Sequence, residues 1–250
     1  MTKKQIYYQN LTDDLVKSAK QDISLPDDYQ ILPQSPGKQS WAKIVRHLMV
    51  IWAHLYQPWA HVKIIGSEKL PATGGYFIFA NHTQPLGDVL NPLLAVPADK
   101  YYVIASQANW GIPVIGKFVV PYAGLPVGKN LKQAAKLIKA TKQVIADHGI
   151  VMIYPEAHVW PYFTKIRPFA QTSMHFPVMT KAPSFVFTTT YQRRKFGNKP
   201  KITIYVDGPF KVDSTLPKKA AQAKLHQQIS DTMVERTSLN TYNYYQYHQK

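Results

Sequence analysis

The sequence contains no cysteine, which excludes disulfides, thiolate metal sites and a cysteine nucleophile. It contains no G-x-S-x-G elbow either, so the usual serine nucleophile of a hydrolase sheet is missing. Acidic residues are scarce: 14 Asp+Glu stand against 30 Lys+Arg, a formal charge of +16. Nine histidines are present, but none falls in H-E-x-x-H or another metal-ligand spacing, and no metal is expected. The opening Met1-Thr-Lys-Lys-Gln-Ile-Tyr-Tyr has no apolar stretch of the signal-peptide kind.

Long hydrophobic runs are missing too. The best candidate, Trp41 to Val62, is interrupted by Lys43, Arg46, His47, His54, Gln57 and Pro58, short of the roughly 20 apolar residues that span a bilayer. Trp41, Trp52, Tyr56 and Trp59 lie among those cations. Aromatics beside basic residues suit a helix lying in the headgroup plane; the alternative is an ordinary helix packed on the core. The charge excess calls for a polyanionic partner. Lysines spread along the chain, with no basic-aromatic module, argue against nucleic acid and for an anionic membrane surface. The expected location is therefore peripheral, monotopic, on the cytoplasmic face.

What is present supports one substantial core: 250 residues, 45% apolar. Residues 1–40 are polar with Pro26, Pro33 and Pro36, an irregular lead-in arm. Residues 41–60 form the amphipathic interfacial helix, and 61–250 the main domain. Within it, strands are expected at 61–66, 75–80, 101–105, 149–154, 184–190 and 201–206, with helices at 88–95, 131–147 and 218–235. Strands alternating with helices define an α/β domain with a mixed, largely parallel sheet flanked by helices. The tail after Leu239 carries no firm signal.

The segment Phe77-Ile-Phe-Ala-Asn81-His82-Thr-Gln-Pro85-Leu-Gly87-Asp88 carries the most information. An apolar strand ends in a histidine, and an aspartate follows six residues later across Pro85 and Gly87. The carboxylate is placed to fix the imidazole tautomer, leaving the other ring nitrogen to take a proton. With no obvious nucleophile on the chain, the substrate is expected to supply the hydroxyl. Aspartate before an apolar run is also a common helix N-cap, the plainer alternative for Asp88.

Several blocks together resemble the lysophosphatidate (1-acylglycerol-3-phosphate) acyltransferases and their glycerophospholipid acyltransferase relatives. Over roughly Val62 to Pro209 these are Ile64-Ile-Gly66 with Leu70-Pro71, then Asn81-His82 through Asp88, then Val114-Ile-Gly116-Lys-Phe118 with Gly124-Leu-Pro-Val-Gly-Lys129. Ile153-Tyr-Pro-Glu156 and Ile202-Thr-Ile-Tyr-Val-Asp-Gly208-Pro209 complete the set. Three features depart from the family. Five residues rather than four separate His82 from Asp88, Lys129 stands where arginine is usual, and Glu156-Ala-His-Val159 replaces Glu-Gly-Thr-Arg.

The resemblance implies acyl transfer from a thioester, acyl-CoA or acyl-carrier protein, to a lysophospholipid hydroxyl, with 1-acyl-sn-glycerol 3-phosphate the first-choice acceptor. His82 is then the general base and Asp88 its orienting carboxylate. Lys129 and Arg167 hold acceptor phosphate, Glu156 positions the glycerol portion or a basic neighbour, and main-chain N–H groups near His82 or Gly124 meet the oxyanion. No cofactor is implied, since the thioester is a substrate. The rivals are the same chemistry on another lysophospholipid or glycolipid, and a catalytically silent, basic lipid-binding protein of the same fold.

Overall fold

A computed structural model describes residues 3–16 and 22–250. In chain order its strands are β1 Lys4–Tyr8, β2 Val62–Ile65, β3 Tyr76–Ala80, β4 Tyr101–Ala105, β5 Gly124–Pro126, β6 Ile150–Ile153, β7 Ser184–Gln192, β8 Lys201–Phe210 and β9 Tyr245–Gln249. Its helices are α1 Pro36–Ala60, α2 Gly87–Leu90, α3 Ile115–Phe118, α4 Val120–Ala123, α5 Leu131–Ala146, α6 His175–Thr180 and α7 Lys218–Thr237.

Seven strands form the main sheet in the order β2-β8-β7-β3-β6-β4-β5. Every neighbouring pair is parallel except β7–β8, so the sheet is mixed and largely parallel, as expected. Strand β3 lies near its middle, and its continuous apolar sequence follows from burial on both faces. Tyr76, Ile78 and Ala80 pack with Val45, Met49 and Ala53 of α1. Phe77 and Phe79, pointing the other way, pack with Leu137 and Val144 of α5 and Leu225, Ile229 and Met233 of α7. The result is three layers, with the reactive segment leaving the sheet at the C-terminal ends of β3 and β6.

Local chemistry shifts several element boundaries. Helix α1 begins at Pro36 rather than residue 41, because Ser35 accepts the Lys38 N–H and Pro36 suits the first turn. It closes at His61, which takes a left-handed conformation with φ 55°. The helix expected over 88–95 is one α-turn, α2, followed by a 3₁₀ turn at Asn91–Leu94; Pro92 has no N–H to continue the α pattern.

The lead-in and the tail differ most from expectation. Strands β1 and β9 pair in parallel from Lys4↔Tyr245 to Tyr8↔Gln249, a separate two-stranded sheet. Side chains fix both ends onto the domain: Tyr247 stacks on Trp160 with ring centroids 5.4 Å apart, and Tyr8 lies 4.8 Å from the same ring. Among the described residues, no helix is long and apolar enough to cross a membrane.

Candidate active site

Strand β3 delivers His82, and Asn81 fixes where the strand stops. The Asn81 side chain imitates one more strand residue against β7. Its Oδ1 accepts the Thr189 N–H at 2.8 Å and its Nδ2 donates to the Thr189 carbonyl at 3.0 Å. The next residue turns out of the sheet, and His82 keeps 19% of its side chain exposed.

The imidazole is held from two directions. Its Nδ1 lies 2.7 Å from Asp88 Oδ2. Against a carboxylate, Nδ1 carries the proton and donates it, which leaves the Nε2 lone pair free to accept another. On the ring face, Tyr154 stacks with centroids 4.4 Å apart and planes 23° from parallel. The Tyr154 hydroxyl donates to the Asp88 carbonyl oxygen, so one residue supports both members of the pair.

A reciprocal turn closes the six-residue gap. Asp88 Oδ2 accepts the Gln84 N–H at 2.8 Å, while the Asp88 N–H donates to the Gln84 carbonyl at 3.1 Å. Gly87 leaves room for the Gln84 and Asn91 side chains, since a Cβ there would lie 2.8 Å from both the Gln84 Oε1 and the Asn91 Nδ2. The extra residue relative to the family spacing is absorbed without separating the pair. Helix α1 abuts the turn, with the Tyr56 hydroxyl 3.5 Å from Gln84 Oε1. Burial pushes the Asp88 carboxyl up from its ordinary range, and the His82 ring and the Gln84 and Thr83 N–H groups pull it back.

Glu156 supports His82 from behind. It is 6% exposed; its Oε2 accepts the His82 N–H at 3.0 Å and its Oε1 the Arg167 N–H at 2.7 Å. Burial pushes this carboxyl up, opposed by the Arg167 guanidinium and by those two N–H groups. Trp160, fully buried, donates its main-chain N–H to the His82 carbonyl at 2.9 Å, so Tyr154, Glu156 and Trp160 together fix the His82 backbone or ring.

The other expected site residues fall elsewhere. Arg167 is 1% exposed and does not present a free charge to a ligand. Its guanidinium donates to Glu156 Oε2 at 3.3 Å, to the Leu11 carbonyl at 3.2 Å and to the His158 carbonyl, and lies over the Trp160 ring. Lys129 is exposed beyond β5, with its Nζ 2.8 Å from the Ile23 carbonyl. Gly124 starts β5, and β6 and β4 lie between it and β3, so it is not brought beside His82. The main-chain N–H groups of His82 and Gln84, expected as oxyanion donors, are occupied by Glu156 and Asp88. Sequence reasoning gave Tyr154 and Asn81 no role, their only signal being adjacency to Pro155-Glu156 and to His82; Trp160, which the sequence leaves open between lining the pocket and packing beneath it, is fully buried.

A central strand of an α/β sheet thus ends in a histidine paired with a carboxylate, an arrangement suited to taking a proton from a bound hydroxyl. The chain belongs to the acyltransferase family, whose model matches residues 61–192. No curated protein matches the sequence significantly. Among solved structures, the 1-acyl-sn-glycerophosphate (LPA) acyltransferase PlsC from Thermotoga maritima shares the fold. Its TM-score is 0.58 at 15% identity, over 82% of this chain and 84% of that one.

Proposed function

We propose that this protein transfers a fatty acyl group from acyl-CoA or acyl-carrier protein to the free hydroxyl of 1-acyl-sn-glycerol 3-phosphate, forming phosphatidate. The observation that carries the reading is the 2.7 Å contact between His82 Nδ1 and Asp88 Oδ2 in a chain of this family. His82 Nε2 takes the acceptor's hydroxyl proton as that oxygen attacks the thioester carbonyl. The tetrahedral intermediate collapses with release of the thiol, and the proton on His82 leaves with the thiolate. Asp88 stabilises the imidazolium in between, as a triad carboxylate does. Glu156 and Arg167 position the base, and Lys129, once released from the Ile23 carbonyl, supplies charge for acceptor phosphate.

The site works at a membrane surface. Along α1, Trp41, Ile44, Leu48, Ile51, Trp52, Leu55 and Trp59 are all exposed, spaced to share one helix face. Such a face beside a strongly basic protein suits an anionic bilayer, on the cytoplasmic side where the thioesters are.

A second reading keeps the chemistry and changes the acceptor to another lysophospholipid or a glycolipid. The observation in its favour is Arg167, whose charge is committed to Glu156 rather than open to a phosphomonoester.

One assay separates the two: acyl transfer to a panel of lysolipids in detergent micelles, with His82→Ala and Lys129→Ala beside the parent. Transfer to lysophosphatidate that drops roughly 10²–10⁴-fold in His82→Ala, with KM raised in Lys129→Ala, is the expected result. Transfer only to a different acceptor moves the substrate. No transfer to any acceptor overturns the enzyme reading in favour of a silent lipid-binding protein.

A further inference from the structure

A second site lies at the far end of the molecule. A groove of about 830 Å³ opens between the first turns of α1, the arm at residues 29–34, and the outer side of α5. Its lining includes Lys100 and Gly149, which immediately precede β4 and β6. His82 follows the C-terminal end of β3, and these three strands run parallel, so the groove is at the opposite end of the sheet from the base.

The groove is basic. Lys43, Arg46, Lys100, Lys136 and Lys139 line it against Asp99 and Asp147. Both acids sit on the Lys100 side, where Lys100 Nζ bonds the Asp147 carbonyl at 2.6 Å and Gln143 Nε2 donates to Asp147 Oδ2 at 2.9 Å.

Arg46 is the decisive residue. It is 4% exposed, yet it takes part in none of the ion pairs among the described residues. Its Nη1 donates to the Tyr122 carbonyl at 2.8 Å, its guanidinium lies 5.0 Å from the Tyr102 ring centre, and its buried Nε has no hydrogen-bond partner among the described residues. A cation taken out of water without a carboxylate is costly, and a buried N–H left unbonded adds to that cost. An anion in the groove would supply the missing counter-charge, and the planar guanidinium favours an oxyanion over a halide.

We infer that this groove binds a phosphate group, with Arg46 at its floor and Lys43, Lys136 and Lys139 around it. The inference does not rest on the acyl-transfer reading. Lys43 and Arg46 lie across α1 from its exposed apolar face, on the side that packs toward the domain. The phosphate is either that of a lipid headgroup or a soluble phosphate.

The test compares the parent, Lys136→Gln/Lys139→Gln, and a charge-matched control, Lys218→Gln/Lys219→Gln, on the exposed start of α7. Each is titrated with inorganic phosphate by thermal shift and with vesicles of phosphatidylcholine containing increasing phosphatidylglycerol. The groove variant should bind the relevant ligand roughly fivefold more weakly for each lysine removed, and the control should bind as the parent does. His82→Ala should also match the parent, separating this site from the catalytic one. Saturable stabilisation by inorganic phosphate identifies a soluble ligand, whereas a response to phosphatidylglycerol vesicles alone identifies a headgroup. Equal binding by the parent and groove variant, equal weakening in the control, or no binding of either ligand overturns the inference.

Discussion

Glu156 Oε2 accepts the main-chain N–H of His82 at 3.0 Å, so this carboxylate touches the histidine through its backbone rather than its ring. The same carboxylate pairs with Arg167 in the interior. Breaking one partner of a buried pair leaves the other charge uncompensated, a cost of about 3–5 kcal/mol. Arg167→Met and Glu156→Ala should each lose stability on that scale, read as a lowered urea midpoint. The double variant should cost less than the two singles added together. Full additivity would mean that the two residues act separately.

Asn81 provides a second test of positioning. Asn81→Ala leaves the Thr189 N–H and carbonyl without their side-chain partner, at about 1–3 kcal/mol for buried groups. Thermal unfolding should show that loss. If the strand end also aims His82, kcat should fall while KM holds.

Tyr154 can be dissected in two steps. Tyr154→Phe keeps the ring against His82 and removes only the bond to the Asp88 carbonyl, worth about 0.5–1.5 kcal/mol. Tyr154→Ala removes the ring as well. The alanine variant should lose more kcat than the phenylalanine variant, and equal losses would assign the whole effect to the hydroxyl.

The acid limb of stability is expected to involve Asp207. Its carboxylate accepts from Arg236 Nε at 2.7 Å and Nη2 at 2.6 Å, and from Lys69 Nζ at 3.2 Å. The Arg236 hydrogen bonds, with help from Lys69, hold it below its ordinary value. A depressed carboxyl stabilises the fold above the unfolded pKa, near 4, and that contribution disappears as pH falls through the lower folded value. Asp207→Asn should therefore flatten the drop in stability below about pH 4, measured by denaturant midpoints across pH.

Membrane docking is expected to depend on the outer face of α1. Trp52 and Leu55 are 64% and 63% exposed, so removing them costs the folded protein little. Burying one large apolar side chain is worth about 1.5–3 kcal/mol. Trp52→Ala/Leu55→Ala should weaken vesicle partitioning at least tenfold with the unfolding temperature unchanged. Unaltered partitioning would assign binding to charge alone.

Much of this was legible in the residues. Strands β3 and β6 announce themselves because burial on both faces demands unbroken apolar runs, and α5 because its lysines leave one face apolar. The His82–Asp88 pairing was also open to inference, since Pro85 and Gly87 bend the chain between them. The position of Gly124 was not: chain order says nothing of the two strands that the sheet interposes. Nor does a lone arginine eleven residues after Glu156 reveal whether it faces water or the core. Strands β1 and β9 were hidden because Lys-Gln-Ile-Tyr-Tyr and Tyr-Gln-Tyr-His-Gln lie mostly in the open, without an apolar alternation to betray them.

That terminal pairing also constrains how the molecule is made. During synthesis β1 leaves the ribosome before any other described element, whereas its partner β9 is translated after the entire main sheet. Until then β1 carries unsatisfied edge groups that can pair with another nascent chain. Lys3 and Lys4 at its start supply like charge that discourages such pairing. The clasp around Trp160 is accordingly the last sheet contact that a vectorially folding chain can complete, and it closes over a loop already in place.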